Sequence, residues 1–316
     1  IKRKLIRFMQ TGCNVYFAPA GELYKIPFEY MMLDNGKRFD ELYNICRLSS
    51  THEIITMQED AVPKGDIALF GGLNYNTSVE DIELQAYAYD GARSITAGVS
   101  DVSNVLWPYL PGTMIEVTTI APLMQQASYT THLFTQDEGI EERFKELTES
   151  QTRIIHIATH GYFMNTKGDA MENSGLVFAG VNNLRTENKY AEKNNLNDGI
   201  LTAAEIANLN LIGTNLVVMS ACQTGLGNIS GEGVFGLQRA FKKAGVQSLL
   251  MSLWEVDDEA TCLLMTSFYK HLTQGFSKRS ALRKTQEDVR SHTFERDGKQ
   301  YSGSDPKYWA AFIIID

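Results

Sequence analysis

A cysteine and a histidine, each at the end of an apolar run, are the residues of this sequence whose types suit nucleophilic chemistry. Cys222 follows the apolar, β-branched run 216–219 and opens a glycine-rich stretch. His160 ends the apolar run 152–159 and is followed by Gly161. A thiol attacks a carbonyl group as its thiolate, and a histidine within hydrogen-bond reach supplies the base that forms the thiolate. The two residues therefore indicate acyl chemistry if the fold brings their side chains together.

Short buried strands are the elements that would position this pair. The runs 152–159 and 216–219 have the pattern of strands buried on both faces, and helical patterns follow them. Strands that alternate with helices indicate an α/β protein with a mostly parallel sheet covered on both faces. Parallel neighbours end at the same edge, where open α/β sheets bind their ligands. We therefore expect His160 and Cys222 to meet at that edge.

Two backbone N–H groups beside the pair could stabilise the oxyanion of an acyl transfer. Gly161 has no Cβ, so its N–H can approach a substrate closely, and the N–H of Cys222 is the second donor. The alternative is that Cys222 packs as a core cysteine and His160 caps the end of a strand. Because both residues lie at strand-to-loop breaks near glycine, we favour the catalytic interpretation.

Other polar residues near strand ends have structural alternatives too. His156 precedes His160 on the same face of the predicted strand, only deeper, and we interpret it as a buried, hydrogen-bonded core histidine. Asp257 and Asp258 follow Trp254 at the end of another predicted strand. Their carboxylates could line the same crevice, or they could cap the helix that begins there. The residues alone leave both roles open.

Composition argues against several classes of function. The chain has 316 residues and a formal net charge of −9. Nucleic acids and anionic membranes attract basic surfaces, so we expect neither as a partner. No apolar run is long enough to cross a membrane. The cysteines are too scattered for a disulfide framework or a zinc site: Cys13, Cys46, Cys222 and Cys262. We therefore predict a cytoplasmic protein with reduced thiols and without a metal. We also expect no cofactor.

Local patterns predict the remaining elements. Residues 1–60 form an N-terminal hairpin or accessory part, either within the same unit or as a small subdomain, and 61–316 form the core. The hairpin joins a strand at 13–18 to residues 23–26 through the turn 19–22. Further strands are predicted at 52–57, 66–71, 112–118, 131–135, 152–159, 176–179, 216–219, 246–254 and 309–315. Helices are predicted at 121–127, 137–148, 203–209, 232–244, 258–273 and 277–291, the third opened by a capping box of Thr202 and Glu205.

Several motifs resemble those of the CHAT domain, a caspase-like peptidase family often found beside TPR repeats. Two of them carry most of the likeness: residues 155–161, IHIATHG, and residues 217–225, VVMSACQTG. Shorter stretches extend the likeness over residues 13–316, and they lie at 17–28, 110–113, 201–206, 231–234, 252–258 and 308–312.

The resemblance implies a caspase- or separase-type three-layer α/β/α sandwich and a cysteine endopeptidase that hydrolyses peptide bonds in a protein substrate. By motif, His160 is the general base or acid, Cys222 is the nucleophile, and the N–H groups of Gly161 and Cys222 bind the oxyanion. Gln223 and Thr224 stand where the caspase signature has Arg-Gly. Aspartate specificity is therefore not implied.

A further likeness bears on substrate specificity. The segment 253–258 is similar to a separase stretch whose aspartate lies in the pocket for a basic P1 side chain. The resemblance therefore implies cleavage after a basic residue. It makes Asp258, or failing that Asp257, the anchor of that side chain, with Trp254 beside it.

The resemblance also implies a larger protein in which TPR repeats or a partner protein regulate the enzyme. A first residue of Ile1 rather than Met leads us to expect a fragment of such a protein. The alternative from another functional class is a caspase-like signalling or binding module that lacks catalysis. A non-proteolytic thiol acyltransferase is disfavoured, because no cofactor-binding motif accompanies the pair.

Overall fold

The structure is a computed structural model that describes most of the chain. The described residues are 9–19, 23–24, 26–56, 61–87, 105–163, 171–186, 197–220, 231–254, 256–296 and 299–316. Cys222, Gln223 and Thr224 lie outside these ranges, as do most of the predicted turn 19–22 and the side chain of Asp258.

Strands and helices alternate along the chain. The strands are β1 Asn14–Phe17, β2 Asn44–Arg47, β3 Asp66–Leu73, β4 Thr130–Gln136, β5 Thr152–Ala158, β6 Gly161–Phe163, β7 Ser174–Val177, β8 Ile200–Thr202, β9 Leu216–Met219, β10 Ser248–Ser252, β11 Thr293–Arg296, β12 Lys299–Ser302 and β13 Phe312–Ile315. The α-helices are α1 Phe39–Leu42, α2 Glu53–Thr56, α3 Val79–Tyr87, α4 Pro111–Gln126, α5 Glu141–Lys145, α6 Val181–Thr186, α7 Ala203–Ile206, α8 Gly231–Lys243, α9 Asp258–Thr273 and α10 Lys278–Ser291. Two short 3-10 helices lie at Phe28–Tyr30 and Pro306–Tyr308.

A large, mostly parallel sheet forms the middle layer. Its eight strands lie in the order β1-β2-β13-β10-β9-β5-β3-β4. Neighbours pair in parallel, apart from β10 and β13, which are antiparallel. The strands β6, β7 and β8 form a separate small sheet, and β11 and β12 form a hairpin.

Helices cover both faces of the large sheet. In β5, Ile155 and Ile157 pack into one hydrophobic cluster, and Ile154 and Ala158 pack into the other. The first cluster includes side chains of α5, α7, α8 and the small sheet. The second cluster includes side chains of α4, α9 and α10. This arrangement is the predicted three-layer α/β/α sandwich, and the strands of its middle layer are buried on both faces.

Most of the predicted elements are confirmed within a few residues. The strands β3, β4, β5, β9 and β10 and the helices α8, α9 and α10 lie where the sequence patterns place them. The capping box that begins α7 is present, since the Thr202 hydroxyl accepts from the Glu205 N–H and the Glu205 carboxylate accepts from the Thr202 N–H. Helix α5 is shorter than predicted, as it covers only Glu141–Lys145.

The predicted N-terminal hairpin is wrong. Strand β1 pairs in parallel with β2, from Asn14 opposite Asn44 to Phe17 opposite Arg47. The buried guanidinium of Arg47 donates to the backbone carbonyls of Tyr24 and Ile26, which therefore bind a side chain rather than a strand partner. The proposed boundary at residue 60 stays a prediction, although β1 and β2 form one edge of the large sheet.

The strand predicted at 52–57 is also wrong, because Glu53–Thr56 forms the single turn of α2. A run of β-branched residues suggested a buried strand there. Ile54 and Ile55 are instead largely exposed, and the Ser49 hydroxyl donates to the Glu53 carboxylate at the start of the turn. The β-branched residue types therefore did not indicate burial in this stretch.

The strand predicted at 112–118 is wrong because this stretch is the first half of α4. Pro111 stands in the first turn, where the fixed φ of proline favours a helix start. The hydroxyls of Thr118 and Thr119 donate to the carbonyls of Met114 and Ile115 one turn earlier, which accommodates these β-branched residues in a helix.

The start of α4 lies close against the end of β3. The Thr113 hydroxyl accepts from the N–H of Gly72 at 2.8 Å. A Cβ on Gly71 would lie 2.7 Å from the Thr113 carbonyl oxygen, so only glycine permits this approach. The contact fixes where α4 begins, and the segment 105–110 that precedes α4 takes part in the site described next.

Candidate active site

The carboxyl ends of β5, β9 and β10 lie side by side. Strand β9 pairs in parallel with β5 on one side and with β10 on the other. Met219 lies opposite Ile157, and the N–H of the next residue, Ser220, donates to the Ile157 carbonyl at 3.1 Å. The expectation that the strands before His160 and Cys222 are parallel neighbours is therefore confirmed.

His160 lies in an aromatic pocket just beyond β5. The residue is buried, with 2% of its surface exposed. Its ring lies 5.0 Å from the ring of Tyr75 and 5.2 Å from the ring of Trp107, measured between centroids. Neighbours on two sides limit the rotation of the imidazole, and the ring is thereby fixed at the edge of the sheet.

A backbone carbonyl determines which imidazole nitrogen carries the proton. Nε2 of His160 lies 2.7 Å from the carbonyl oxygen of Pro108. A carbonyl oxygen only accepts, so Nε2 donates, and Nδ1 of the neutral ring keeps its lone pair. A general base needs such an orienting partner. Sequence reasoning gave Pro108 no role in the site, since no side-chain pattern marks a backbone carbonyl that accepts from a histidine.

Thr159 and Tyr75 fix the end of β5 next to His160. The Thr159 hydroxyl donates to the Val177 carbonyl, and the phenol of Tyr75 lies 2.8 Å from the Thr159 hydroxyl oxygen. Burial raises the pKa of Tyr75 to about 12, so the phenol stays neutral. Because the Thr159 hydroxyl already donates to Val177, the Tyr75 phenol is the donor to Thr159. The two hydroxyls form a chain that leads to β7.

Gly161 is the first residue of β6 and lies opposite Leu176 of β7. The preceding carbonyl, that of His160, accepts from the N–H of Val177 at 2.9 Å. Hydrogen-bonded and non-hydrogen-bonded pairs alternate in an antiparallel ladder, which makes Gly161 and Leu176 a non-hydrogen-bonded pair. The Gly161 N–H is therefore directed away from β7, on the side where β6 is the edge of the small sheet.

His156 is a buried core histidine, as predicted. Its Nδ1 lies 3.1 Å from the Tyr269 hydroxyl, and its Nε2 lies 3.0 Å from a carboxylate oxygen of Glu116. These partners belong to α9 and α4. The expectation that His156 and His160 share one face of a strand is wrong, because β5 ends at Ala158 and His160 packs among aromatic residues of the opposite layer.

Asp257 has the structural role that the sequence left open. It is the N-cap of α9, and its carboxylate accepts from the N–H of Ala260 at 3.1 Å. Asp258 is the first residue of the helix. Trp254 is half-buried and packs against both hydrophobic clusters just after β10. The three residues follow β10 at the edge shared with His160.

The other cysteines of the described residues differ in their surroundings. Cys46 is buried, Cys13 and Cys262 are half-buried, and none of the three forms a disulfide within the part of the chain that the structure describes. Burial, aided by the negative charge of Glu116, raises the pKa of the Cys262 thiol.

No helix in the described ranges is long and apolar enough to cross a membrane.

Comparison with known families decides the classification. The model of the CHAT domain matches residues 2–316. The chain belongs to the CHAT domain family. CHAT domains are a caspase-like, peptidase-related family, in agreement with the three-layer sandwich.

Known proteins resemble this CHAT domain to different extents. Tetratricopeptide repeat protein 28 of Homo sapiens is 23% identical over 313 residues, which are 93% of this chain and 12% of that protein. Its Mus musculus counterpart is 28% identical over 183 residues, which are 52% of this chain and 7% of that protein. The chain thus spans only about a tenth of the length of these relatives. The crystal structure of protein GSU0716 from Geobacter sulfurreducens has a TM-score of 0.39 at 12% identity, over 80% of this chain and 94% of that chain.

The buried contact between Glu116 and His156 yields a stability prediction with a matched control. Glu116→Ala leaves His156 without its carboxylate in a dry interior, so we expect the free energy of unfolding to fall by about 3–5 kcal/mol. The exposed pair of Asp66 and His132 has the same chemistry, with side chains 44% and 45% exposed. Asp66→Ala should cost less than about 1 kcal/mol. Denaturant unfolding measures the loss of stability in both variants. Equal losses would contradict the description of Glu116 and His156 as a buried, stabilising contact.

Proposed function

We propose that this CHAT domain is a cysteine endopeptidase that hydrolyses protein substrates, with His160 as general base and acid and Cys222 as nucleophile. The observation that supports this most is the 2.7 Å hydrogen bond from His160 Nε2 to the Pro108 carbonyl. It assigns Nδ1 as the nitrogen that accepts a proton, in a ring held at the edge to which β9 leads.

The chemistry follows from these roles. Nδ1 of His160 takes the proton of the Cys222 thiol, and the thiolate adds to the carbonyl carbon of the scissile bond. The N–H groups of Gly161 and Cys222 donate to the resulting oxyanion. His160 then gives its proton to the leaving amine, and the C–N bond breaks. Water, deprotonated by His160, adds to the thioester and releases the acid product and the free thiol.

Paired substitutions test the dyad. We expect Cys222→Ala and His160→Ala each to lower kcat/KM by about a thousandfold or more, because nucleophile and base act as a unit. Cys262→Ala and His132→Ala remove the same residue types outside the proposed dyad and should leave kcat/KM within about threefold of the parent value. Digestion of a peptide library, followed by mass spectrometry, measures all four variants, with thermal unfolding as the check on folding. A folded Cys222→Ala or His160→Ala variant that cleaves like the parent contradicts the proposal.

We further propose that the enzyme cleaves after a basic residue, with Asp258 as the anchor of the P1 side chain. Strand β10 is parallel to β9 and leads into residues 254–258, so this segment begins at the same edge as His160. The carboxylate of Asp257 already caps α9, which favours Asp258 over Asp257 as the anchor. Trp254 packs against both layers and would form an apolar wall beside it.

Matched peptides with Arg, Lys, Asp, Leu or Met before the scissile bond test this specificity. Asp258→Asn should lower kcat/KM for the Arg and Lys peptides by about a hundredfold and leave the Leu peptide unchanged, because a desolvated charge pair is lost. Asp257→Asn is the control: asparagine caps a helix as well as aspartate does, so both stability and specificity should persist. A parent preference for Asp or an aliphatic residue, or an unaltered Arg preference in Asp258→Asn, would remove the assignment.

The chain is further proposed to be the protease effector part of a TPR-linked cytoplasmic protein, regulated by a repeat domain or a partner. Both relatives named above are tetratricopeptide repeat proteins. The alternative is a caspase-like module that binds partners without catalysis. The peptide digest separates the two functions, since such a module releases no Cys222-dependent fragments.

A further inference from the structure

The segment 105–110, which supplies the Pro108 carbonyl, has no regular secondary structure. A carbonyl on such a segment can rotate unless the peptide groups around it are held. On its carboxyl-terminal side, Leu110 is fixed, because its carbonyl accepts from the hydroxyl and the N–H of Thr113. On its amino-terminal side lies Trp107, whose peptide groups need partners from another element.

Asn182 of α6 supplies both of those partners. Its Oδ1 accepts from the N–H of Trp107 at 3.0 Å, and its Nδ2 donates to the carbonyl of Trp107 at 3.1 Å. One side chain thus bonds the donor and the acceptor of one residue, as a neighbouring strand would. Both residues are buried, with 8% of Asn182 and 2% of Trp107 exposed. Loss of these bonds would leave buried peptide groups unsatisfied.

The two hydrogen bonds between the Asn182 side chain and the Trp107 backbone form a clamp, which acts one residue away from the hydrogen bond of His160. Trp107 precedes Pro108, and the Trp107 ring also packs 5.2 Å from the imidazole. Proline has no N–H and cannot be held through one. Rotation of the Trp107 peptide would therefore move both the Pro108 carbonyl and the indole that packs against His160.

Asn182 is itself fixed to the other aromatic neighbour of His160. Its backbone N–H donates to the carbonyl of Tyr75 at 3.0 Å, and its Nδ2 also donates to Oδ1 of Asn76 at 2.9 Å. The turn that carries these residues is held by Asp137, whose carboxylate accepts from the side chains of Asn74 and Thr77. Asn182 therefore connects both sides of the pocket in which the imidazole lies.

We infer that Asn182 is a positioning residue for His160, which holds the Pro108 carbonyl where it keeps the proton on Nε2. As a role in catalysis, this inference rests on the proposed function. The positioning itself concerns only the histidine and the segment 105–110, so it can be measured without a substrate. Asn182 is not expected to touch substrate.

Asn182→Ala tests the inference, and Asn183→Ala is the matched control. Asn183 is the next residue of α6, and its Nδ2 donates to the carbonyls of Asn76 and Thr77 in the same turn at 2.9 and 3.1 Å, without a bond to Trp107. Both substitutions remove an asparagine amide that holds this turn. Only Asn182→Ala releases the Trp107 peptide.

Two readouts separate positioning from a general loss of stability. Side-chain ¹⁵N spectra of protein labelled at histidine report the His160 tautomer, assigned by its loss in His160→Ala. We expect the Nε2–H form in the parent and in Asn183→Ala, and a mixture of tautomers in Asn182→Ala. With a cleaved peptide, kcat should fall about ten- to a hundredfold in Asn182→Ala with KM nearly unchanged, because small misplacements of a base cost rates of this order.

If Asn182→Ala does not fold, Asn182→Asp replaces it. The carboxylate keeps the acceptor for the Trp107 N–H and lacks the donor for the Trp107 carbonyl, so a shift in the same direction is expected. A folded Asn182 variant that matches Asn183→Ala in tautomer and kcat overturns the inference. A parent with the Nε2–H tautomer but no peptide cleavage instead counts against the proposed function. In that case the tautomer of His160 in Asn182→Ala still tests whether Asn182 positions the histidine.

Discussion

The hydrogen bond between Nε2 of His160 and the carbonyl of Pro108 is the interaction on which the candidate site depends. A histidine serves as a base only when one nitrogen has a lone pair in the right direction. Here a backbone group makes that assignment, and it comes from the segment before α4 rather than from a carboxylate. The fold must therefore place an irregular segment as accurately as it places a strand.

Three parts of the fold meet that requirement. Helix α4 lies close on β3 through Thr113 and Gly72, which fixes where the segment ends. Buried contacts to Glu116 and Tyr269 tie α4 and α9 to β5 through His156. On the opposite layer, α6 and the small sheet hold the aromatic pocket. Elements on both faces of the sheet thus help to position His160.

The sequence predicted those features that side chains carry in regular patterns. The sequence predicts buried strands such as β5 and β9, the capping box before α7 and the position of His160 beyond a strand. These features are predictable because burial and capping select residue types. The helical start of α4 was not, since its β-branched residues favour strands locally and only packing on β3 overrides that preference. Pro108 and Asn182 were missed for another reason: their roles lie in contacts with backbone groups distant in sequence.

The most direct test of the account is the pH dependence of Cys222 alkylation by iodoacetamide, followed by peptide mapping in the parent and in His160→Ala. An imidazole that takes the thiol proton lowers the apparent pKa of Cys222 below the ordinary value of about 8.5. The parent should then react rapidly near pH 6, far faster than Cys262, whose pKa is raised by burial. His160→Ala should restore ordinary thiol behaviour. A Cys222 that titrates near 8.5 in both proteins would contradict the pairing of His160 with Cys222.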